Sequence, residues 1–138
     1  FMEDARSPVG ALGLMQLMPQ TGKQTARSLK IRYLGNQALL HSDQNIRLGS
    51  AYLNKLMKRY NGSPVLAAAA YNAGPHRVSR WLPTGKSMDA SLWMERIPFK
   101  ETRHYVRRVL AYATVFEWRL QRPVTRLSHR LSEIQQRY

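Results

Sequence analysis

Ser7-Pro8-Val9-Gly10-Ala11-Leu12-Gly13-Leu14-Met15-Gln16-Leu17-Met18-Pro19 is the stretch on which the reading of this 138-residue chain turns. Two glycines stand three apart, an apolar run with one amide follows, and prolines close both ends. Neither helical nor strand periodicity fits it. Gln16 interrupts Leu14-Met15-Gln16-Leu17-Met18, so if that run is buried the amide needs a partner. Two readings stay open from the residues alone. One is a packed turn whose glutamine bonds nearby backbone. The other is a loop that turns its amide toward a ligand in a cleft.

Outward from this loop, the chain reads as helices. Pro19 at a first helical position, or Thr21 as a cap, starts a short helix to about Lys30. Residues 31–42 read as loop. Asp43 is an N-cap candidate for a helix carrying Ile46, Gly49, Leu53, Leu56, Met57 and Tyr60, which Asn61-Gly62 ends. Ser63-Pro64 then opens Val-Leu-Ala-Ala-Ala-Ala-Tyr, apolar nearly all round and so expected to be a buried central helix. It stops at Asn72-Ala73-Gly74-Pro75, where Asn72 is either a left-handed cap or, with Tyr71, a polar pair facing a cleft. A helix over about 75–82 and a short one capped by Asp89 follow. The longest helix is predicted from about Lys100 to Gln121, with Tyr105, Val109, Tyr112 and Phe116 as its core stripe, ending at Pro123. A last amphipathic segment sets Leu127, Leu131 and Ile134 against Arg122, Arg126 and Arg130, a basic face expected to be solvated. No strand pattern and no repeat is evident, so the fold class is all-α.

Composition narrows the chemistry. Twenty-two Lys and Arg against eight Asp and Glu give a net charge of +14, which favours an acidic partner such as nucleic acid, anionic lipid or an acidic cell-wall polymer. With no cysteine there are no disulfides, thiolate metal sites or cysteine nucleophiles. The histidines at 41, 76, 104 and 129 lack metal-ligand spacing, so no metal and no cofactor is expected. The longest uncharged apolar stretch, Val65 to Ala73, is too short to span a bilayer, and no basic-then-apolar leader precedes the fold. Glu101 lies between Lys100 and Arg103, where positive charge favours its ionised form; that suits an anchor or acceptor better than a general acid. No carboxylate pair of the kind most glycosidases use is evident.

Four blocks, in order, carry a resemblance. They are Ser7 to Gln16 with Met18-Pro19; Asn45-Ile46 with Gly49 and Tyr52-Leu53; Ala69 to Pro75 with Arg77-Val78 and Trp81; and Ile97-Pro98-Phe99 with Glu101-Thr102-Arg103 and Tyr105-Val106. From Phe1 to about Trp118 the chain resembles the catalytic domain of soluble lytic transglycosylases. The resemblance implies a goose-type lysozyme-like helical domain around the buried central helix, with a substrate cleft on one side. It assigns residues 1–121 to an N-terminally truncated catalytic domain and 122–138 to a basic amphipathic tail.

The family cleaves the β-1,4 bond between N-acetylmuramic acid and N-acetylglucosamine without water, leaving a 1,6-anhydro end. One glutamate serves as acid and then base. That glutamate lies in a Glu-Ser pair just upstream of the position of Phe1, so no catalytic residue is assigned within this chain and Glu3 is not promoted to the role. The expectation is a chain that binds glycan better than it cleaves it. By position, Ser7 would lie near the acid or an acetamido group, Gln16 and Met18 would line the cleft, and Ala70 would offer backbone to an acetamido group. Tyr71 and Asn72 would orient sugar and acid, and Glu101 and Tyr105 would face the cleft, with Glu101 near the peptide stem or in a buried bond network. The implied partners are peptidoglycan strands and an upstream helical domain of the same protein, and the implied compartment is the periplasm. A non-catalytic murein-binding module is the alternative. A nucleic-acid binder rests on charge alone, has no recognised motif, and is not expected.

Overall fold

The computed structural model describes Met2 and residues 4–138, and these divide into two compact units, 1–55 and 56–138. Glu3 lies outside the described residues. Seven α-helices and one 3-10 turn are present among the described residues, with only isolated β-bridges and no strand. The all-α reading therefore holds.

In the first unit, α1 (Pro19–Ser28) starts on Pro19, with Met18 ahead of it making no side-chain cap. The segment after α1 is not all loop, since Asn36–Leu40 forms a 3-10 turn that packs on α1. α2 spans Ser42–Arg59, and all but its last four residues belong to this unit. Asp43 is thus not the cap but sits inside the first turn, where a carboxylate still complements the helix dipole. Ala11, Leu12, Leu17, Ala26, Leu39 and Leu48 form this unit's core.

In the second unit, α3 (Pro64–Ala73) begins as the sequence predicts. The Ser63 hydroxyl accepts from the Leu66 N–H at 3.3 Å and proline holds the first turn. Val65 through Ala70 are all buried, which makes α3 the central helix of the unit, and it packs on both α4 (Pro75–Trp81) and α6 (Lys100–Arg119). Short alanine side chains let these neighbours approach closely. The left-handed residue at the end of α3 is Gly74 (φ 92°), not Asn72, which stays helical. The Asp89 carboxylate caps α5 (Ala90–Glu95), accepting from Ser91 and Leu92 N–H at 2.9 and 3.2 Å.

α6 starts where predicted, ends two residues before Gln121, and is rotated. Its buried residues are Thr102, Val106 and Leu110, whereas Tyr112 and Phe116 are 59% and 57% exposed. At about 100° per residue the core stripe is displaced by roughly a quarter turn from the aromatic one. The α3 alanines present a shallow surface that accepts Thr, Val and Leu, and the larger rings are left outside. α6 ends at Arg119, ahead of Pro123: Gln121 turns left-handed (φ 54°) and the Arg122 N–H returns to the Glu117 carbonyl at 2.9 Å.

The final segment is a strap rather than an amphipathic helix. Only Leu127–Arg130 (α7) is helical, and Ile134 is fully buried, exchanging both backbone bonds with Met88 at 2.8 and 3.0 Å. Nor is its basic face solvated at Arg130, whose side chain is 14% exposed and lies 2.7 Å from Glu117. The Glu117 carboxylate also accepts from the Thr125 N–H at 2.7 Å and its hydroxyl at 3.1 Å. The Thr125 N–H bond foremost, then Arg130, hold the Glu117 carboxyl below its ordinary range, against a smaller desolvation effect. Because the folded pKa is depressed, this anchor is at full strength above the free carboxyl pKa and is lost as pH falls through the lowered one. Acidification from about pH 6 to about pH 2 is expected to shift the Thr125 amide proton toward its unbonded position while α6 stays helical. An unmoved Thr125 resonance would contradict the anchor.

Candidate functional site

The Ser7–Pro19 loop is two successive tight turns. Leu12 and Leu17 exchange backbone bonds at 3.0 and 2.9 Å, and the Ser7 hydroxyl accepts from the Ala11 N–H at 2.9 Å. Gln16, at the tip, has φ 48° and is exposed. Of the apolar run only Leu17 is buried, so the run is not a buried segment with an orphan amide. The Gln16 amide donates to the Gly13 carbonyl at 2.8 Å and to the Ala5 carbonyl at 3.3 Å. Both donors are spent within the loop, and the acceptor oxygen is what the side chain has left to offer.

Asn45 on α2 holds this loop in place. It is fully buried; its amide donates to the Leu12 and Leu39 carbonyls at 2.8 and 2.9 Å, and its oxygen accepts from the Met15 N–H at 2.7 Å. One side chain thereby ties the loop, the 3-10 turn and α2. Two glycines make the close approach possible. A Cβ on Gly49 would lie 2.6 Å from the Met15 sulfur. A Cβ on Gly13 (φ 74°) would lie 2.2 Å from the Leu39 carbonyl oxygen and 2.4 Å from Asn45 Nδ2. Backbone cannot yield as a flexible side chain does, and the left-handed conformation adds strain. Gly13→Ala is expected to cost about 3 kcal/mol in urea unfolding of the first unit, against under about 0.5 kcal/mol for a surface substitution such as Gln20→Ala.

The second unit brings a different group together. Ala70, Tyr71 and Asn72 lie at the end of α3; Glu101 and Tyr105 lie on the first turns of α6, the helix that packs on it. Thr102, 1% exposed, donates its hydroxyl to the Asn72 carbonyl oxygen at 2.8 Å. This ties the Asn72 side chain to the first turn of α6. Ala70 is fully buried and its carbonyl accepts from the Gly74 N–H at 2.8 Å, so its backbone already serves the helix end. Glu101 is exposed, and the buried-network alternative for it does not hold. Burial pushes the Tyr105 phenol above its usual range, opposed in part by Arg108, so the side chain is neutral at physiological pH. Met18, 43% exposed, stands in the first unit just before α1.

Asn45 and Thr102 entered the sequence reading only inside quoted blocks, without a role. A short polar residue at a core-facing helical position was the available signal, since such a group must be bonded. Among the described residues no group of three or more His, Asp or Glu could hold a metal ion, and no helix is long and apolar enough to cross a membrane.

Comparison with known proteins bears on this architecture. The family described as Transglycosylase SLT domain matches residues 1–94, and the Soluble lytic transglycosylase helical domain matches residues 96–124. The soluble lytic murein transglycosylase of Salmonella typhimurium is 46% identical over 109 residues, covering 78% of this chain and 17% of that protein. The structure of an inactive glutamate-to-glutamine mutant of the lytic transglycosylase Slt from Pseudomonas aeruginosa is 48% identical, with a TM-score of 0.85 over 96% of this chain and 22% of that one. The 70-kDa soluble lytic transglycosylase of Escherichia coli is 39% identical, with a TM-score of 0.82 over 87% of this chain and 20% of that one. The chain thus spans about a fifth of the length of the relatives it matches. With a family match over residues 1–94 of 138 and these likenesses in sequence and structure, the chain belongs to the transglycosylase SLT family and carries its lysozyme-like helical fold.

Proposed function

We propose that this chain is the glycan-binding part of a lytic transglycosylase that acts on peptidoglycan. The reaction is non-hydrolytic cleavage of the β-1,4 bond from N-acetylmuramic acid to N-acetylglucosamine, leaving a 1,6-anhydro end. The observation that carries the reading is the likeness to the Pseudomonas lytic transglycosylase over 96% of the chain at 48% identity. That relative is inactive as a glutamate mutant, which fits a reaction run by one glutamate. In this reading the acid and base is a glutamate outside residues 1–138, and the chain's own residues bind and orient the sugar.

In the first unit, Ser7, Gln16 and Met18 contact glycan, with the Gln16 oxygen accepting from a sugar N–H or O–H. In the second, Asn72 donates to a sugar oxygen, Tyr71 and the neutral phenol of Tyr105 orient the ring, and Glu101 faces the cationic part of a peptide stem. Ala70 contributes as a wall, with at most the second lone pair of its carbonyl. The exposed face of α6 at Tyr112, Val115 and Phe116 (59%, 46% and 57% exposed) is the seat for the helical portion of the longer protein. We read residues 122–138 as a strap on the catalytic domain and the periplasm as the compartment.

Digestion of purified peptidoglycan, with products read by mass spectrometry, tests the proposal. The chain is run beside a form carrying about twenty further upstream residues of its gene. Anhydro muropeptides from the longer form alone support it. Murein binding by both forms with anhydro products from neither would replace it with a non-catalytic binding module.

A further inference from the structure

The strap does not close fully on the helices beneath it. It is anchored at Glu117 through Thr125 and Arg130, at Ser87 through Glu133 (2.8 Å), and at Met88 through Ile134. Between these anchors, α5, α6 and the strap line an open groove of about 660 Å³. A groove of this volume is in the range of small-molecule sites.

Its walls are Met94 of α5, Leu110 and Ala111 of α6, and Val124, Leu127 and Leu131 of the strap. No aromatic ring lines it, and little of its surface is polar: the Thr114 and Thr125 hydroxyls are already bonded, to the Leu110 carbonyl and to Glu117. Glu95 and Arg107 are paired with each other and so cancel. Arg126 lines the groove, is exposed, and has no carboxylate partner among the described residues. The site therefore joins an apolar body to one uncompensated cation. A sugar would set its hydroxyls against hydrocarbon walls, and inorganic phosphate would leave those walls uncovered. A metal ion would find a single carboxylate.

We propose that this groove is a binding site for an amphipathic anion, specifically a medium-chain fatty acid, with its chain between α6 and the strap and its carboxylate on Arg126. The site shares none of the residues assigned to glycan, and the inference stands or falls independently of the glycan reading.

Calorimetric titration of the chain with sodium dodecanoate, below its micelle concentration, tests it. A saturable site of one dodecanoate per chain is expected. Dodecyltrimethylammonium, of equal chain length and opposite charge, is expected to bind at least about tenfold more weakly, as is dodecanoate to Arg126→Gln. Ala111→Trp fills the groove from a solvent-exposed helix position and is expected to abolish the site. Methyl NMR of the unaltered chain reads the same point without relying on any variant: dodecanoate should shift Met94, Leu110 and Leu131 first and leave Leu39 and Leu48 unmoved. Absence of a one-to-one site, equal binding of the cation, undiminished binding to a folded Ala111→Trp protein, or methyl shifts spread over both units would each overturn the proposal.

Discussion

Asn45→Ala is expected to cost about 4 kcal/mol and to release the Ser7–Pro19 loop. The asparagine is fully buried and makes three hydrogen bonds, to Leu12 and Leu39 carbonyls and from the Met15 N–H. Alanine removes all three bonds at once and supplies none; the Leu12 carbonyl keeps the Leu17 N–H, so the cost falls on the Leu39 carbonyl and the Met15 N–H. Each buried group left without a partner costs about 1–3 kcal/mol, more than the bond itself contributed. The total is comparable with the whole stability of a small domain, about 5–15 kcal/mol, so the first unit should be marginal at 25 °C. Amide exchange gives the local readout. The Leu12 and Leu17 N–H groups, bonded to each other's carbonyls at 2.9–3.0 Å, should lose protection before those of α6 do. A loss below about 1 kcal/mol with protection retained would sink the claim that Asn45 holds the loop. If the loop carries glycan contacts at Gln16, murein binding should fall in parallel.

Trp93→Ala is the second large effect, expected at about 4 kcal/mol within the second unit. The side chain is 2% exposed and is the largest fully buried one among the described residues. Its indole N–H also donates to the Trp81 carbonyl at 2.8 Å, joining α5 to the end of α4. Alanine thus leaves a cavity and an unpaired carbonyl together. Trp93→Phe separates the two contributions. It keeps most of the apolar volume and loses the hydrogen bond, for about 1–2 kcal/mol. Trp81 also meets Phe99 edge-on at 5.2 Å, with Arg77 over the other ring at 5.0 Å. The disturbance should therefore reach the start of α6, seen as shifted resonances at Phe99 and Thr102. Denaturant unfolding followed by near-ultraviolet circular dichroism gives the stability change. An alanine variant within about 1 kcal/mol of the parent would show that the α4–α5 corner is not held through this residue.

What the sequence determined by itself was local or rested on whole motifs. The Ser63-Pro64 start, the Asp89 cap and the Asn61-Gly62 stop each act within five residues of themselves, so their meaning survives without the rest of the chain. The run Val65–Ala70, rich in alanine and apolar nearly all round, pointed to a buried helix because alanine favours helix and no polar face is left for solvent. Four ordered blocks pointed to the family because their residue types and order are specific together.

Tertiary structure alone decided which face of α6 goes inward, since Thr102/Val106/Leu110 and Tyr105/Val109/Tyr112/Phe116 are both helical stripes and only the shallow alanine surface of α3 selects between them. It made the last segment a strap, because the partners of Ile134 and Glu133 are Met88 and Ser87, more than forty residues away. It gave Gln16 two backbone partners and Asn45 three, across separations of up to 33 residues. A cap is satisfied by its own neighbours in sequence and can be read there. A buried amide or a packed ring is satisfied by whatever the fold brings against it, and that is set by all the elements together.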